Sequence, residues 1–165
     1  YVCPRGQTYR NHLSKLSVAY VWSVNAVDLD ADFIVDPGTT LRMAPGVEIR
    51  ARNGKISAAG TVSDSIFFIS DSPVPGASDW LGFSVDTWYG GGKSIFKYCR
   101  FSNASKAIYI EDVRNNFGFP VIERSTFDGN RAGIWIYPTE TSVKDSYLQQ
   151  NVFLNNIYNI FMEIL

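Results

Sequence analysis

Three stretches of the chain repeat one outline at a fixed interval, and no other feature restricts the fold as strongly. Phe101, Phe127 and Phe153 stand 26 residues apart, as do Ile108, Ile134 and Ile160, then Ile110, Ile136 and Met162, and upstream Phe96, Ile122 and Leu148. Small and polar positions keep the same step: Cys99, Ser125 and Asn151; Asn103, Gly129 and Asn155; Asn130 with Asn156. A period of this length marks units that stack on copies of themselves, because one unit cannot bury its apolar side alone.

Written out, the units are "IFKYCRFSNASKAIYI", "VIERSTFDGNRAGIWI" and "YLQQNVFLNNIYNIFM". Each divides into short alternating runs separated by Asn, Gly or Asp, a pattern of strands and turns rather than helices. In isolation "STFDGNRAGIWIYP" looks like a hairpin; the register makes Asp128-Gly129-Asn130 a corner instead. The first half carries a related beat. Gly38, Gly46 and Gly54 fall eight apart, with Leu41 and Met43, Val47 and Ile49, then Ile56 and Ala58 alternating around them. Short strands with one buried face, closed by glycine turns, fit this spacing, three to a rung.

The predicted architecture is all-β: a single-stranded parallel β-helix of about five coils, near residues 32–54, 55–93, 94–119, 120–145 and 146 to the end. At roughly 4.8 Å per hydrogen-bonded strand the rod is about 24 Å long. An antiparallel sandwich is the competing fold, but it gives no reason for identical residue types to recur at one interval. The phenylalanines should stack inside as one ladder and Ile108, Ile134 and Ile160 as another. Asn130 over Asn156 should form an amide ladder that Ala104 interrupts. Residues 1–30 are assigned to an N-terminal capping segment, with a short helix within 7–22, and residues 31–165 to the β-helix domain.

The stretch "FIVDPGTTLRMAPGVEIRARNGKISAAGTVSDSIFFISD" followed by "DWLGFSV" resembles the entry coils of right-handed parallel β-helices of the pectin-lyase-like superfamily. Ser125, Phe127, Asn130, Gly133, Ile134 and Ile136 resemble that superfamily's parallel β-helix repeat. The resemblance spans roughly residues 30–165 and implies a right-handed coil. Many of its members cleave polysaccharides, yet neither the hydrolases' paired-Asp and Gly-His motifs nor the lyases' clustered carboxylates with a catalytic Arg are present, so the chain resembles a non-catalytic member.

Composition narrows the function classes. Fifteen Lys and Arg against sixteen Asp and Glu leave a net charge of −1, so no field draws nucleic acid. No apolar run is long enough to span a bilayer, and "YVCPRGQTYR" lacks a signal peptide's layout. The absence of an initiator Met suggests a processed or excised segment. Cys3 and Cys99 either form one disulfide or remain two buried thiols. His12 is the single histidine, which excludes a His-rich metal centre. No metal and no cofactor are expected.

Residues between the inward ones face outward, so Tyr109, Trp135 and Phe161 form an external aromatic file. Three long loops follow the equivalent strand ends Val85, Ile110 and Ile136 and should leave from one edge. They bring Trp88, Tyr89, Phe117, Phe119 and Tyr137 beside Asp86, Glu111, Asp112 and Glu140. Rings beside carboxylates are what sugar recognition uses; packing against the rod is the plainer explanation. Asp86, Glu111 and Asp112 form only a weak calcium pattern. Asn103-Ala-Ser105 is an N-glycosylation acceptor pattern at a turn.

These features give three expectations of different classes. The first is a non-catalytic extracellular or cell-surface β-solenoid with a structural, surface-assembly or adhesion role. The apolar strand "NIFMEIL" at the end of the sequence suggests that the solenoid stacks end to end on itself or on other solenoid segments, or that the sequence is a piece of a longer protein. The second is a carbohydrate-binding module using Trp88, Tyr89, Tyr109, Trp135, Tyr137 and Phe161. The third is a polysaccharide lyase or glycoside hydrolase, with Glu123 and Asp128 as the nearest carboxylates.

Overall fold

Runs of three to five alternating residues bury one face only, and the chain meets this by winding each run onto the one a coil earlier. The structure, a computed structural model, describes residues 12–23, 27–29, 31–52, 54–86, 93–111, 119–137 and 148–163. Its strands come in threes. The first rung is β1 (His12–Leu13), β2 (Tyr20–Trp22) and β3 (Val27–Leu29), and the second is β4 (Phe33–Val35), β5 (Thr40–Met43) and β6 (Glu48–Ala51). Next come β7 (Ile56–Ala59), β8 (Ile66–Ser70) and β9 (Trp80–Asp86), then β10 (Ile95–Lys97), β11 (Cys99–Ser102) and β12 (Ala104–Glu111). The last two are β13 (Val121–Glu123), β14 (Thr126–Asp128) and β15 (Ala132–Ile136), then β16 (Leu148–Gln149), β17 (Val152–Leu154) and β18 (Tyr158–Met162).

Every third strand joins the same sheet. β1, β4, β7, β10, β13 and β16 form one, β2 through β17 a second and β3 through β18 a third, all paired in parallel. The result is an all-β solenoid of about five turns. The 26-residue step is its register: Phe101 pairs with Phe127 and Phe127 with Phe153, while Ile108, Ile134 and Ile160 align on the third sheet. Among the described residues 12–22 of the stretch expected to hold a short helix, no helix forms. Residues 12–13 and 20–22 are strands that pair with β4 and β5, so a rung of the solenoid lies inside the stretch assigned to a cap. Residues 1–11 lie outside the described part.

The inner ladder is longer than the repeat that announced it. Phe68, Phe101, Phe127 and Phe153 stack at centroid distances of 5.2, 4.9 and 5.1 Å, the last two pairs within 9° and 13° of coplanar. Stacking adds about 0.5–1.5 kcal/mol per pair, less than the roughly 1.5–3 kcal/mol from burying each side chain. Burial therefore supplies the stability and ring geometry the register. The glycine-beat residues Leu41, Met43, Val47, Ile49, Ile56 and Ala58 are all buried. Gly54 is needed for a close approach, since a Cβ there would lie 2.1 Å from the Ala31 carbonyl oxygen.

Two polar columns run through the core at the corners of the coil. The Cys99 N–H donates to Ser125 Oγ at 3.1 Å and the Ser125 N–H to Asn151 Oδ1 at 3.0 Å. One corner further, the Ala104 N–H donates to Asn130 Oδ1 at 2.8 Å and the Asn130 N–H to Asn156 Oδ1 at 2.9 Å. The amide ladder continues in Asn130 Nδ2 donating to Asn156 Oδ1 at 3.0 Å. Ala104 has no side chain to extend it, but its N–H is the ladder's first donor. The corners themselves are left-handed: Tyr98, Arg124 and Gln150 have φ of 49°, 49° and 56°, and Asn103, Gly129 and Asn155 have 66°, 67° and 54°.

The two ends differ. Leu13, Trp22 and Leu29, inner residues of the first rung, are 7%, 6% and 9% exposed, whereas Ile160 and Met162 of the last are 46% and 45% exposed. Leu148 and Phe153 are only half-buried there.

Candidate functional site

The outer face of the third sheet gathers rings and charges around one lysine. Its position comes from an irregularity in β12, whose register against β9 shifts between Lys106 and Ile108. Opposite stands Gly82, at φ 122°, where a Cβ would meet the Lys106 carbonyl oxygen at 1.7 Å. Only glycine lets the two backbones approach this closely. With Ala107 and Ile108 both inward, Lys106 turns out over the sheet. Its Nζ lies 3.9 Å from the Tyr109 ring centroid and 4.4 Å from that of Trp135.

The expected file of Tyr109, Trp135 and Phe161 forms in register. Trp135 and Phe161 are 4.2 Å apart and tilted by 41°, and Tyr158 meets Phe161 edge-on at 5.3 Å. Lys106 and Phe161 come from the strands on either side of β15, so the indole of Trp135 is approached from both neighbouring coils. Arg131 lies 5.8 Å from the same ring, and Trp135 Nε1 donates to Glu163 Oε2 at 3.3 Å. Burial pulls the Lys106 ammonium below its usual range, opposed by Glu163 and Glu111. Burial also raises the Tyr109 phenol, and Glu111 adds to that.

Beside this cluster is a hollow of about 170 Å³ lined by Glu48, Leu81, Gly82, Ser105, Lys106 and Tyr109. Small-molecule sites commonly occupy about 300–1,000 Å³. The hollow suits a few waters or a single small group better than a chain of sugars.

The loop edge is placed as expected at its base: Ile110 pairs with Val85 and Ile136, and Glu111 with Asp86. Glu111 accepts from Ser84 Oγ at 2.9 Å, and Tyr137 follows β15 half-buried. Trp88, Tyr89, Asp112, Phe117 and Glu140 lie outside the described residues. Phe119 departs from expectation, since it is buried and part of the core. No group of three His, Cys, Asp or Glu side chains suited to a metal occurs among the described residues.

The carboxylates considered for catalysis are apart. Glu123 on β13 pairs with Lys97 at 2.9 Å, and Asp128 on β14, in a different sheet, pairs with Arg100 at 2.6 Å. His12 pairs with Asp36 at 2.7 Å. Cys99 is a free thiol whose Sγ donates to the Ala58 and Lys97 carbonyl oxygens, both at 3.3 Å; burial raises its pKa far above the ordinary value. The alternative of a buried thiol therefore holds for Cys99, while Cys3 lies outside the described residues. Asn103 is half-exposed at a corner, with the strand β12 starting at the next residue.

Sequence patterning did not single out Lys106 or Glu163, and it read Arg131 only as a turn residue beside Asp128. The one available signal was the broken alternation at Ser105-Lys106-Ala107-Ile108, where a strand reading one face in and one out meets an extra residue.

Comparison with protein-family models, with curated proteins and with solved structures gives no match.

Proposed function

We propose that the chain is a non-catalytic β-solenoid module with a structural, surface-assembly or adhesion role, joining other solenoid ends through its last rung. The observation that carries this reading is the exposure of Ile160 and Met162, which belong to an inner ladder that is fully buried one coil earlier. An extracellular or cell-surface location goes with the proposal and rests on the Asn103 acceptor pattern at its corner. So does the right-handed, pectin-lyase-like character, which rests on the Asp36-Pro-Gly-Thr-Thr-Leu segment leading into β5 and the Ala44-Pro-Gly-Val turn into β6.

A sugar-stacking platform needs a free ring face, and Trp135 already meets Lys106 from one side and Phe161 from the other. Catalysis needs two carboxyl groups across one groove, and Glu123 and Asp128 belong to different sheets. Assembly is therefore the reading the geometry favours.

Sedimentation velocity across a hundredfold range of concentration tests it. The expected result is concentration-dependent association that Ile160→Asp weakens by roughly 100-fold, since a carboxylate buried in the contact costs several kcal/mol. A chain that stays monomeric throughout would contradict the proposal.

A further inference from the structure

On the third sheet an acid and a base flank a position that no side chain can fill. Glu48 of β6, Gly82 of β9 and Lys106 of β12 stand in one register across three successive coils. Strands about 4.8 Å apart set the backbones of the acid and the base roughly 9.6 Å from each other, with the glycine between them. The hollow of about 170 Å³ lies over this glycine, walled by Leu81 and Tyr109 and edged by Ser105. A side chain on β9 cannot close it, because a Cβ at Gly82 would meet the Lys106 carbonyl oxygen at 1.7 Å.

Both flanking charges keep capacity for a ligand. Arg50 Nε donates to Glu48 Oε2 at 2.9 Å, which uses one of the roughly four acceptor positions of a carboxylate. The Lys106 ammonium rests on the rings of Tyr109 and Trp135, and among the described residues no carboxylate forms an ion pair with it. Glu163, Glu111 and Glu48 act on it at longer range, opposed by Arg131. A plain anion in the hollow would be drawn to Lys106 and repelled by Glu48, and a plain cation the reverse. A molecule that carries both charges is matched at both walls.

We propose that this hollow binds a small zwitterion, a free amino acid of the size of glycine or alanine, with its carboxylate toward Lys106 and its ammonium toward Glu48. Size agrees with charge: at about 30 Å³ per water, a hollow of about 170 Å³ holds about six such volumes, close to the number of non-hydrogen atoms in alanine. The Ser105 hydroxyl at the rim is a further donor for the carboxylate. The site is built on β6, β9 and β12 and takes no residue from the first or the last rung, so it operates whether or not the solenoid associates.

The test is a titration of the ¹⁵N-labelled chain with glycine, followed through its amide resonances. Leu81, Gly82, Ser105 and Lys106 should shift and saturate with a dissociation constant of about 0.1–10 mM. Acetate and methylammonium, each carrying one of the two charges, should bind at least about tenfold more weakly, since each forgoes one charged hydrogen-bonding group. That comparison needs no substitution and does not depend on any variant folding. Glu48→Gln and Lys106→Met should each weaken glycine binding by about tenfold, whereas Lys55→Met, on another sheet, should leave it unchanged. Acetate or methylammonium binding as tightly as glycine, glycine affinity unaltered in both hollow variants, shifts confined to other parts of the molecule, or no saturation by about 50 mM glycine would overturn the proposal.

Discussion

Phe127 lies between Phe101 and Phe153 at 4.9 and 5.1 Å, and no part of it reaches solvent. Replacing it by alanine removes two stacked contacts and leaves a cavity that flanking strands, held by their own ladders, cannot close. Phe127→Ala should cost about 3–5 kcal/mol in chemical denaturation; a cost near zero would show that the ring does not bridge the coils. Cys99 gives a pH signature. Its thiol is kept protonated by burial, so its folded pKa lies above the ordinary value of 9.0. The stability it contributes is fully present below about pH 9 and is lost as pH rises beyond it, because the unfolded chain then releases a proton the folded one retains. The melting temperature should fall between pH 8 and pH 10.5, less steeply in Cys99→Ala; equal slopes would show that Cys99 is not the group responsible. The phenylalanine ladder was legible in the sequence because apolar rings at one interval have few explanations. The corner residues Tyr98, Arg124 and Gln150 were not, since nothing in those residue types favours a positive φ. They adopt it because the coil turns there, and Arg124 Nη1 donating to Tyr98 Oη at 2.7 Å ties one corner to the next.

Among the elements, β12 shows where pattern and structure part. Alternation predicts one residue in and one out, whereas Ala107 and Ile108 are both buried and Lys106 is displaced outward opposite Gly82. Gly82→Ala should cost at least about 2 kcal/mol, since the new Cβ meets backbone and φ is positive. A cost below about 0.5 kcal/mol would mean that β9 and β12 can slide past the irregularity. The first rung parted from expectation for another reason. Tyr20 pairs with Leu41, a step of 21 residues against the 26 of the later coils, so β1–β3 do not repeat the later units. At residues 12–13 and 20–22, pairing with β4 and β5 overrides the local preference that suggested a helix. The later coils, where strand lengths and turn residues both recur, fell inside the predicted boundaries.

At the scale of the whole molecule, each coil completes the one before it. The side chains of Ser125 and Asn130 accept the N–H groups of Cys99 and Ala104, and Asn151 and Asn156 do the same for Ser125 and Asn130. Among the described residues these two columns of acceptors run as far as Asn151 and Asn156 of the last rung. Hydrogen exchange resolved by rung, measured at low and at high protein concentration, tests the proposed role of that rung most directly. Amides of β11 and β14 should be protected equally at both concentrations, while those of β17 and β18 should be weakly protected when dilute and gain protection as concentration rises. If β17 and β18 exchange at one rate regardless of concentration, the last rung is not where this molecule meets its partner.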